Sequence, residues 1–155
     1  MIKQSSAGVV VYRLGKNGER TYLLLQYPRG PWDFAKGKLK ENEGWREAAQ
    51  RELKEETGLS LPLYKNFEHS YSYTFNDTRG NKVQKTILFF IALAPYDTEI
   101  SLSQEHVDYL WLPYEQARMQ LVFENIRHLI DQVDAYLDKF IPTTEDVYYD
   151  ETELQ

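Results

Sequence analysis

GKLKENEGWREAAQRELKEETGL, residues 37–59, is the stretch of the chain that says most about its fold. Residues 45–57 are rich in helix-favouring side chains, and apolar positions recur within them at helical spacing. Gly44 precedes this run as an N-cap, and Gly58 follows it as a C-terminal stop. The segment therefore predicts a helix over 45–57.

Three glutamates share one face of this predicted helix. Glu52, Glu55 and Glu56 have the spacing i, i+3, i+4, which brings side chains together on a helix. The apolar stripe of the same helix overlaps their sector and consists of Trp45, Ala48, Ala49 and Leu53. We therefore expect the carboxylates at the edge of the core, where like charges raise each other's pKa unless a cation compensates them.

A divalent cation would provide that compensation. Because the candidate ligands are all oxygen atoms, a hard ion is favoured, so Mg²⁺ or Mn²⁺ is expected in preference to zinc. The alternative is an ordinary amphipathic helix with a solvated acidic edge.

The rest of the chain predicts one α+β domain with a mixed β-sheet flanked by helices. β-Branched and aromatic runs predict strands at 7–13, 22–26, 67–75, 83–93 and 107–112, the first two joined by an Asn17-Gly18 turn. Pro28, Gly30 and Pro31 make 27–36 a predicted loop, and helices are expected at 114–119 and 123–140. We assign 1–140 to the domain and 141–155 to an acidic tail.

Length and composition limit the function classes. The chain has 155 residues, which suits a single core, and it has no cysteine, which excludes thiol nucleophiles, thiolate metal sites and disulfides. It shows neither a signal-peptide pattern nor an apolar run long enough to cross a bilayer, so we expect a cytoplasmic protein without membrane contact. The sequence is compatible with a monomer or a homodimer.

Charge limits the partners. The net charge is -6, but 141–155 holds five acidic residues and no Lys or Arg, which leaves 1–140 at about -1. We therefore expect no broad basic face for duplex nucleic acid. A small polyanionic substrate would have to be met by local lysines or by a metal ion.

The segment 37–59 resembles the Nudix box, Gly-x5-Glu-x7-Arg-Glu-U-x-Glu-Glu-x-Gly-U, where U is aliphatic. Every specified position is filled, by Gly37, Glu43, Arg51, Glu52, Leu53, Glu55, Glu56, Gly58 and Leu59. The resemblance implies the Nudix fold, an α/β/α sandwich. It also implies a metal-dependent pyrophosphohydrolase that acts on acid anhydrides.

The same resemblance implies the metal ligands. Glu52, Glu55 and Glu56 would bind the ions, helped by the main-chain carbonyl near Gly37. Gly37 itself would allow a turn that a Cβ would obstruct.

Two further roles follow from the resemblance. Arg51 would pair with Glu43 and hold the loop and helix together. A carboxylate must accept the proton of the attacking water, and Glu56 is the first candidate, with Glu105 as the second.

Outside the box, the chain is similar to the asymmetrical diadenosine tetraphosphate hydrolases, a Nudix subfamily. The resembling segments are 7–12, 23–26, 32–37 and 102–106, followed by Trp111. The similarity implies that Lys85 contacts the polyphosphate and that Tyr73 and Phe123 stack on an adenine. Lys36 is a further candidate for phosphate binding. Core packing is the alternative reading of both aromatic residues.

The resemblance therefore predicts hydrolysis of diadenosine tetraphosphate to ATP and AMP. An RNA 5′-pyrophosphohydrolase or a house-cleaning nucleoside triphosphate pyrophosphatase would use the same metal helix. A nucleotide sensor without catalysis is a third possibility, although such modules usually lose a metal carboxylate and this chain keeps all three.

Overall fold

A mixed β-sheet lies at the centre of the fold. The computed structural model describes residues 1–140 and the main chain of 147–148. The strands are β1 (Ile2–Leu14), β2 (Arg20–Gln26), β3 (Trp32–Asp33), β4 (Ala35–Lys38), β5 (Leu63–Tyr64), β6 (His69–Asn76), β7 (Lys82–Ala94), β8 (Asp108–Leu112) and β9 (Val147–Tyr148). The helices are α1 (Trp45–Thr57), α2 (Tyr114–Gln120) and α3 (Glu124–Lys139).

Seven of these strands form the main sheet, in the order β3-β2-β1-β7-β6, with β4 along β1 and β8 along β2. β1 runs parallel to β7 over residues 2–13, and the other pairings are antiparallel. β5 and β9 form a separate two-stranded sheet. The predicted mixed sheet is therefore confirmed.

Helices cover both faces of the main sheet. Alternate residues of β1 point to opposite sides, so Val9 and Val11 pack with α1 whereas Val10 and Tyr12 pack with α3. On the α1 side the helix contributes Ala48, Ala49 and Leu53 to the buried cluster. On the other side α3 contributes Ile126, Leu129, Ile130, Val133 and Leu137. These two cores confirm the predicted layering of helix, sheet and helix.

Local signals located α1 correctly. The helix spans Trp45–Thr57, as predicted, and begins after Gly44 without a side-chain cap. Gly58 ends it in the left-handed region at φ 78°, and its N–H donates to the carbonyl of Lys54 at 2.8 Å. The hairpin of β1 and β2 is also confirmed.

The predicted loop over 27–36 is wrong in its second half. Trp32 and Asp33 pair with the end of β2, and β4 begins at Ala35, opposite Val9. The turn residues Pro28 and Gly30 affect only the first part of this segment, because the pairing partners that make the rest extended lie far away in sequence. The two-residue strand β5 was also missed.

The remaining helices agree closely with the predictions, although Phe123 is the N-cap residue of α3 and not its first turn. Most of the predicted tail, 141–155, lies outside the described residues, so the boundary at 140 stays a prediction. Within the described part of the chain, no helix is long and apolar enough to span a membrane.

A polar cluster fastens α3 to the sheet. The buried Tyr22 hydroxyl donates to Asp134 Oδ1 at 2.6 Å, and Arg20 Nη2 donates to the same oxygen at 2.7 Å. Arg20 also contacts Asp138 at 2.5 Å. Asp134 thus satisfies two donors from β2, one of them fully buried.

We predict that Asp134→Ala lowers the free energy of unfolding by about 2 kcal/mol, chiefly because the buried Tyr22 hydroxyl loses its acceptor. Tyr22→Phe removes the hydroxyl and leaves Arg20 paired with Asp134, so we expect a loss of about 1 kcal/mol or less. Urea unfolding measures both values. Equal losses in the two variants would contradict this reading of the cluster.

Candidate active site

The carboxylate face of α1 lies against β4. The helix packs on the sheet through Ala48, Ala49 and Leu53, all fully buried. Gly37 belongs to β4 and not to a turn, and a Cβ on it would overlap the carboxyl group of Glu52. The predicted turn at Gly37 is therefore wrong, and the absent side chain instead allows Glu52 to approach the strand.

Glu56 is the buried member of the triplet. Its side chain is almost wholly enclosed, with the residue 2% exposed, and its Oε2 accepts a hydrogen bond from the Lys36 N–H at 2.9 Å. Burial, together with the charges of Glu52 and Glu105, raises the pKa of Glu56 to about 9 despite that hydrogen bond. An ionised Glu56 at neutral pH therefore requires a nearby cation.

Arg51 organises the residues around the triplet. It donates to both carboxylate oxygens of Glu43, at 2.7 and 2.9 Å, and the pair lowers the pKa of Glu43. The same guanidinium contacts Glu52 at 2.8 Å and Glu55 at 3.3 Å, and donates to the carbonyl of Lys38. It thereby ties the loop before the helix and the end of β4 to α1.

A cavity of about 660 Å³ opens beside this helix. The predicted metal and phosphate residues line it together: Lys36, Gly37, Glu52, Glu55, Glu56 and Lys85. Glu105, the second candidate base, lines it as well. Arg51 and Glu43 are not among the lining residues, which agrees with a supporting position.

Three lysines line the same cavity as the carboxylates: Lys36, Lys38 and Lys85. The half-buried Lys85 has a lowered pKa because of burial and because Lys36 and Lys38 lie close to it. Lys36 Nζ pairs with the buried Asp33 at 3.3 Å. The positive charges of these lysines repel one another, and an anion in the cavity would reduce that repulsion.

A second cavity, of about 430 Å³, adjoins the first and shares Tyr27 and Lys36 with it. Tyr73 and Phe123 both line it, and they are 40% and 58% exposed. Core packing is therefore the wrong reading of these two residues. Tyr73 also faces Lys85 across the β6–β7 pair, so one side of the sheet carries both an aromatic surface and a cation.

The donor set fits a hard divalent cation. Its side chains offer carboxylate oxygens only, and the bare main chain at Gly37 lies beside them. Among the described residues, no three acidic or histidine side chains are already gathered into a metal cage. Arg51 contacts both Glu52 and Glu55, so metal binding would compete with these ion pairs.

Several residues of the site were not predicted from the sequence. Asp33, 9% exposed, lines the second cavity and accepts a hydrogen bond from the Phe34 N–H at 2.7 Å. An acidic residue between Trp32 and Phe34 could have signalled a buried carboxylate. Tyr27 lines both cavities, yet nothing in its sequence context distinguishes it from a loop residue.

His106 lies in one of the resembling segments, 102–106, but the sequence predicted no role for it. It is 5% exposed, its Nδ1 lies 3.2 Å from Ser103 Oγ, and its ring packs against Tyr27 with 4.5 Å between centroids. Burial lowers its pKa, against the charge of Glu105, so the ring is neutral at pH 7.

Comparison with known proteins agrees with this geometry. The family model for the NUDIX domain matches residues 3–133. The asymmetrical bis(5′-nucleosyl)-tetraphosphatase of Rattus norvegicus is 33% identical over 122 residues, which cover 75% of this chain and 80% of that protein. Its namesake from Caenorhabditis elegans is 28% identical over 137 residues, or 87% and 97% of the two chains.

Solved structures give the same result. A binary complex of the C. elegans Ap4A (diadenosine tetraphosphate) hydrolase superposes with a TM-score of 0.78 at 27% sequence identity, covering 88% of this chain and 99% of that one. The family predicted from residues 37–59 and the fold predicted with it are confirmed. The chain is an enzyme that belongs to the Nudix hydrolase family.

Proposed function

We propose that this enzyme hydrolyses diadenosine tetraphosphate to ATP and AMP with the help of Mg²⁺. The observation that carries the proposal is the adjacency of two cavities, one lined by carboxylates and lysines and the other by exposed aromatic rings, with Tyr27 and Lys36 in common. A nucleotide could place its phosphates in the first and a base in the second. The names of the relatives above support the same substrate.

The aromatic cavity supports recognition of a base. Stacking needs accessible ring faces, and both Tyr73 and Phe123 are exposed where they line the cavity. A base held there would lead its phosphates past Lys36 towards the carboxylates of α1. Lys85, which lies opposite Tyr73 on the sheet, would meet the phosphates nearest that base.

The lysines would neutralise much of the polyphosphate charge. Lys36, Lys38 and Lys85 all line the first cavity. Since residues 1–140 carry a net charge of about -1, binding of a polyanion depends on these local cations and not on the field of the whole protein.

Glu52, Glu55, Glu56 and the carbonyl of Gly37 would hold the metal. Nudix hydrolases generally use divalent metals, and the oxygen donors of this site favour Mg²⁺. When bound, such an ion offsets charge on the phosphates and lowers the pKa of a coordinated water.

We propose two carboxylates, Glu56 and Glu105, as candidates for taking the proton from the attacking water. Glu56 has its Oε2 engaged by the Lys36 N–H and its Oε1 3.7 Å from His106 Nε2, so the lone pairs left on these oxygens would serve the metal and the water. Glu105 is exposed within the first cavity and is not needed as a ligand. Glu56 would be both a metal ligand and a base, so its loss would affect metal binding. Glu105 would be a base only, so its loss would leave metal binding unchanged.

We predict that Glu56→Gln lowers kcat by on the order of 10²–10⁴-fold while the protein stays folded, because the amide oxygen still accepts the Lys36 N–H. The matched control is Glu47→Gln, an exposed glutamate on the same helix that should behave like the wild type. Initial rates at saturating substrate and a thermal melt measure both properties. Wild-type turnover in Glu56→Gln would remove this residue from the mechanism.

Glu105→Gln separates the two candidate bases. If Glu105 is the base, kcat falls by a similar factor while the Mg²⁺ concentration for half-maximal rate is unchanged. If Glu56 is the base, Glu105→Gln keeps most of the activity. Titration of the rate with Mg²⁺ in both variants measures the difference.

Removing a stacking ring should weaken substrate binding. We expect Tyr73→Ala and Phe123→Ala each to raise KM by about 5- to 150-fold, which corresponds to about 1–3 kcal/mol per stacked base. Tyr73→Phe should stay near the wild type, since it keeps the ring. Phe75→Ala is the matched control, because Phe75 is an exposed aromatic on the same strand but does not line the cavity. An unchanged KM in both alanine variants of the cavity would contradict base stacking.

A substrate panel tests the proposal as a whole. Purified protein is incubated with diadenosine tetraphosphate, 5′-triphosphorylated RNA, nucleotide sugars and nucleoside triphosphates, with and without Mg²⁺, and the products are separated by chromatography. We expect ATP and AMP from the first substrate, only when the metal is present. Preferential turnover of RNA or of triphosphates would replace the proposal with the corresponding pyrophosphohydrolase, and no turnover of any substrate would favour a sensor.

A further inference from the structure

His106 is a buried histidine whose two ring nitrogens differ in their surroundings. Nδ1 lies 3.2 Å from Ser103 Oγ. Nε2 is buried and has no hydrogen-bond partner among the residues that the structure describes. Because an unpaired buried polar atom costs free energy, a histidine at this position needs a compensating role.

The Ser103 hydroxyl lies beside Nδ1 and can donate to it in the tautomer that carries the ring proton on Nε2. Its Oγ accepts a hydrogen bond from the Glu105 N–H at 3.3 Å, so the hydroxyl proton is available for His106 Nδ1. The neutral ring then carries its own proton on Nε2. In that tautomer Nε2 is a donor.

Nε2 is directed at Glu56. It lies 3.7 Å from Glu56 Oε1, just beyond hydrogen-bonding distance, while Oε2 of the same carboxylate is held by the Lys36 N–H. The two donors thus flank the carboxylate from different elements, one from β4 and one from the segment before β8. A small shift of either side chain would complete the second hydrogen bond.

The same histidine belongs to the turn that carries Glu105. The Ser103 N–H donates to the carbonyl of Glu56 at 3.2 Å, and the His106 N–H donates to the carbonyl of Ser103 at 3.2 Å. The turn over 103–106 is therefore fastened to the end of α1. The His106 ring packs against Tyr27, which lines both cavities.

We propose that His106 is a positioning residue that presents its Nε2–H to Glu56 and holds the Glu105 turn against α1. It would fix the orientation in which Glu56 meets a divalent cation and keep both candidate bases at one cavity. The role rests on the proposed hydrolase function, because it concerns the ligand and the base of that reaction. A histidine retained only for packing against Tyr27 is the competing explanation.

His106→Phe, His106→Gln and Ser103→Ala test the proposal. Phenylalanine keeps the contact with Tyr27 but has no hydrogen-bond donor. Glutamine restores an N–H near the position of Nε2. Ser103→Ala removes the hydroxyl that contacts Nδ1, so the ring is no longer held in one orientation. His128→Gln, an exposed histidine on α3, is the matched control. Mn²⁺ affinity is measured on the substrate-free protein by electron paramagnetic resonance, alongside kcat, KM and the melting temperature of each variant.

We expect His106→Phe to weaken Mn²⁺ binding and to lower kcat, each by about 10- to 100-fold, with little change in substrate KM. Its melting temperature should stay near that of the wild type, because removing the unpaired Nε2 offsets the loss of the contact between Nδ1 and Ser103 Oγ. His106→Gln should recover most of the loss, and Ser103→Ala should show a smaller loss in the same direction.

Wild-type Mn²⁺ affinity and kcat in His106→Phe would overturn the proposal, as would equal losses in the Phe and Gln variants with lowered melting temperatures. If His106→Phe does not fold, an unaltered Mn²⁺ affinity in Ser103→Ala overturns it instead. Because Mn²⁺ binding needs no substrate, this result is independent of whether the wild-type protein turns over any nucleotide.

Discussion

The burial of one carboxylate constrains the rest of this structure. Glu56 is buried at the edge of the core with its Oε2 on the Lys36 N–H. A carboxylate is costly to bury, so its neighbours must compensate it or leave it protonated. α1 can lie close enough to β4 only because Gly37 lacks a side chain, and Arg51 fastens the preceding loop to the helix. α1, β4 and the loop before α1 therefore all surround a buried carboxylate whose charge a divalent cation would compensate.

The two cavities of the site meet at one edge of the main sheet. α1 covers one face and presents its carboxylates at the sheet edge, whereas α3 covers the other, where Tyr73 and Phe123 line the aromatic cavity. Lys36 lines both cavities. A substrate with a base and a chain of phosphates matches this layout, because the aromatic rings line one cavity and the lysines and carboxylates line the cavity next to it.

Family membership and substrate rest on different parts of the molecule. The carboxylate helix and the layering of the sheet are what a Nudix fold requires, and they are compatible with many phosphoanhydride substrates. The aromatic cavity, the lysines of the first cavity and the turn over 103–106 lie outside that helix. The proposed choice of a dinucleoside polyphosphate therefore depends on side chains that lie outside the helix which identifies the family.

The sequence alone determined the local features: the bounds of α1, its stop at Gly58 and the grouping of three glutamates on one face. These depend on hydrogen bonds and side-chain spacings within a few residues, so pattern and propensity are sufficient to predict them. Only the tertiary structure decided that 32–38 is paired into the sheet, that Tyr73 and Phe123 are exposed to a cavity, and that His106 is buried beside Glu56. Each of these depends on partners distant in the chain, because strand pairing and burial arise from long-range contacts that no local pattern encodes.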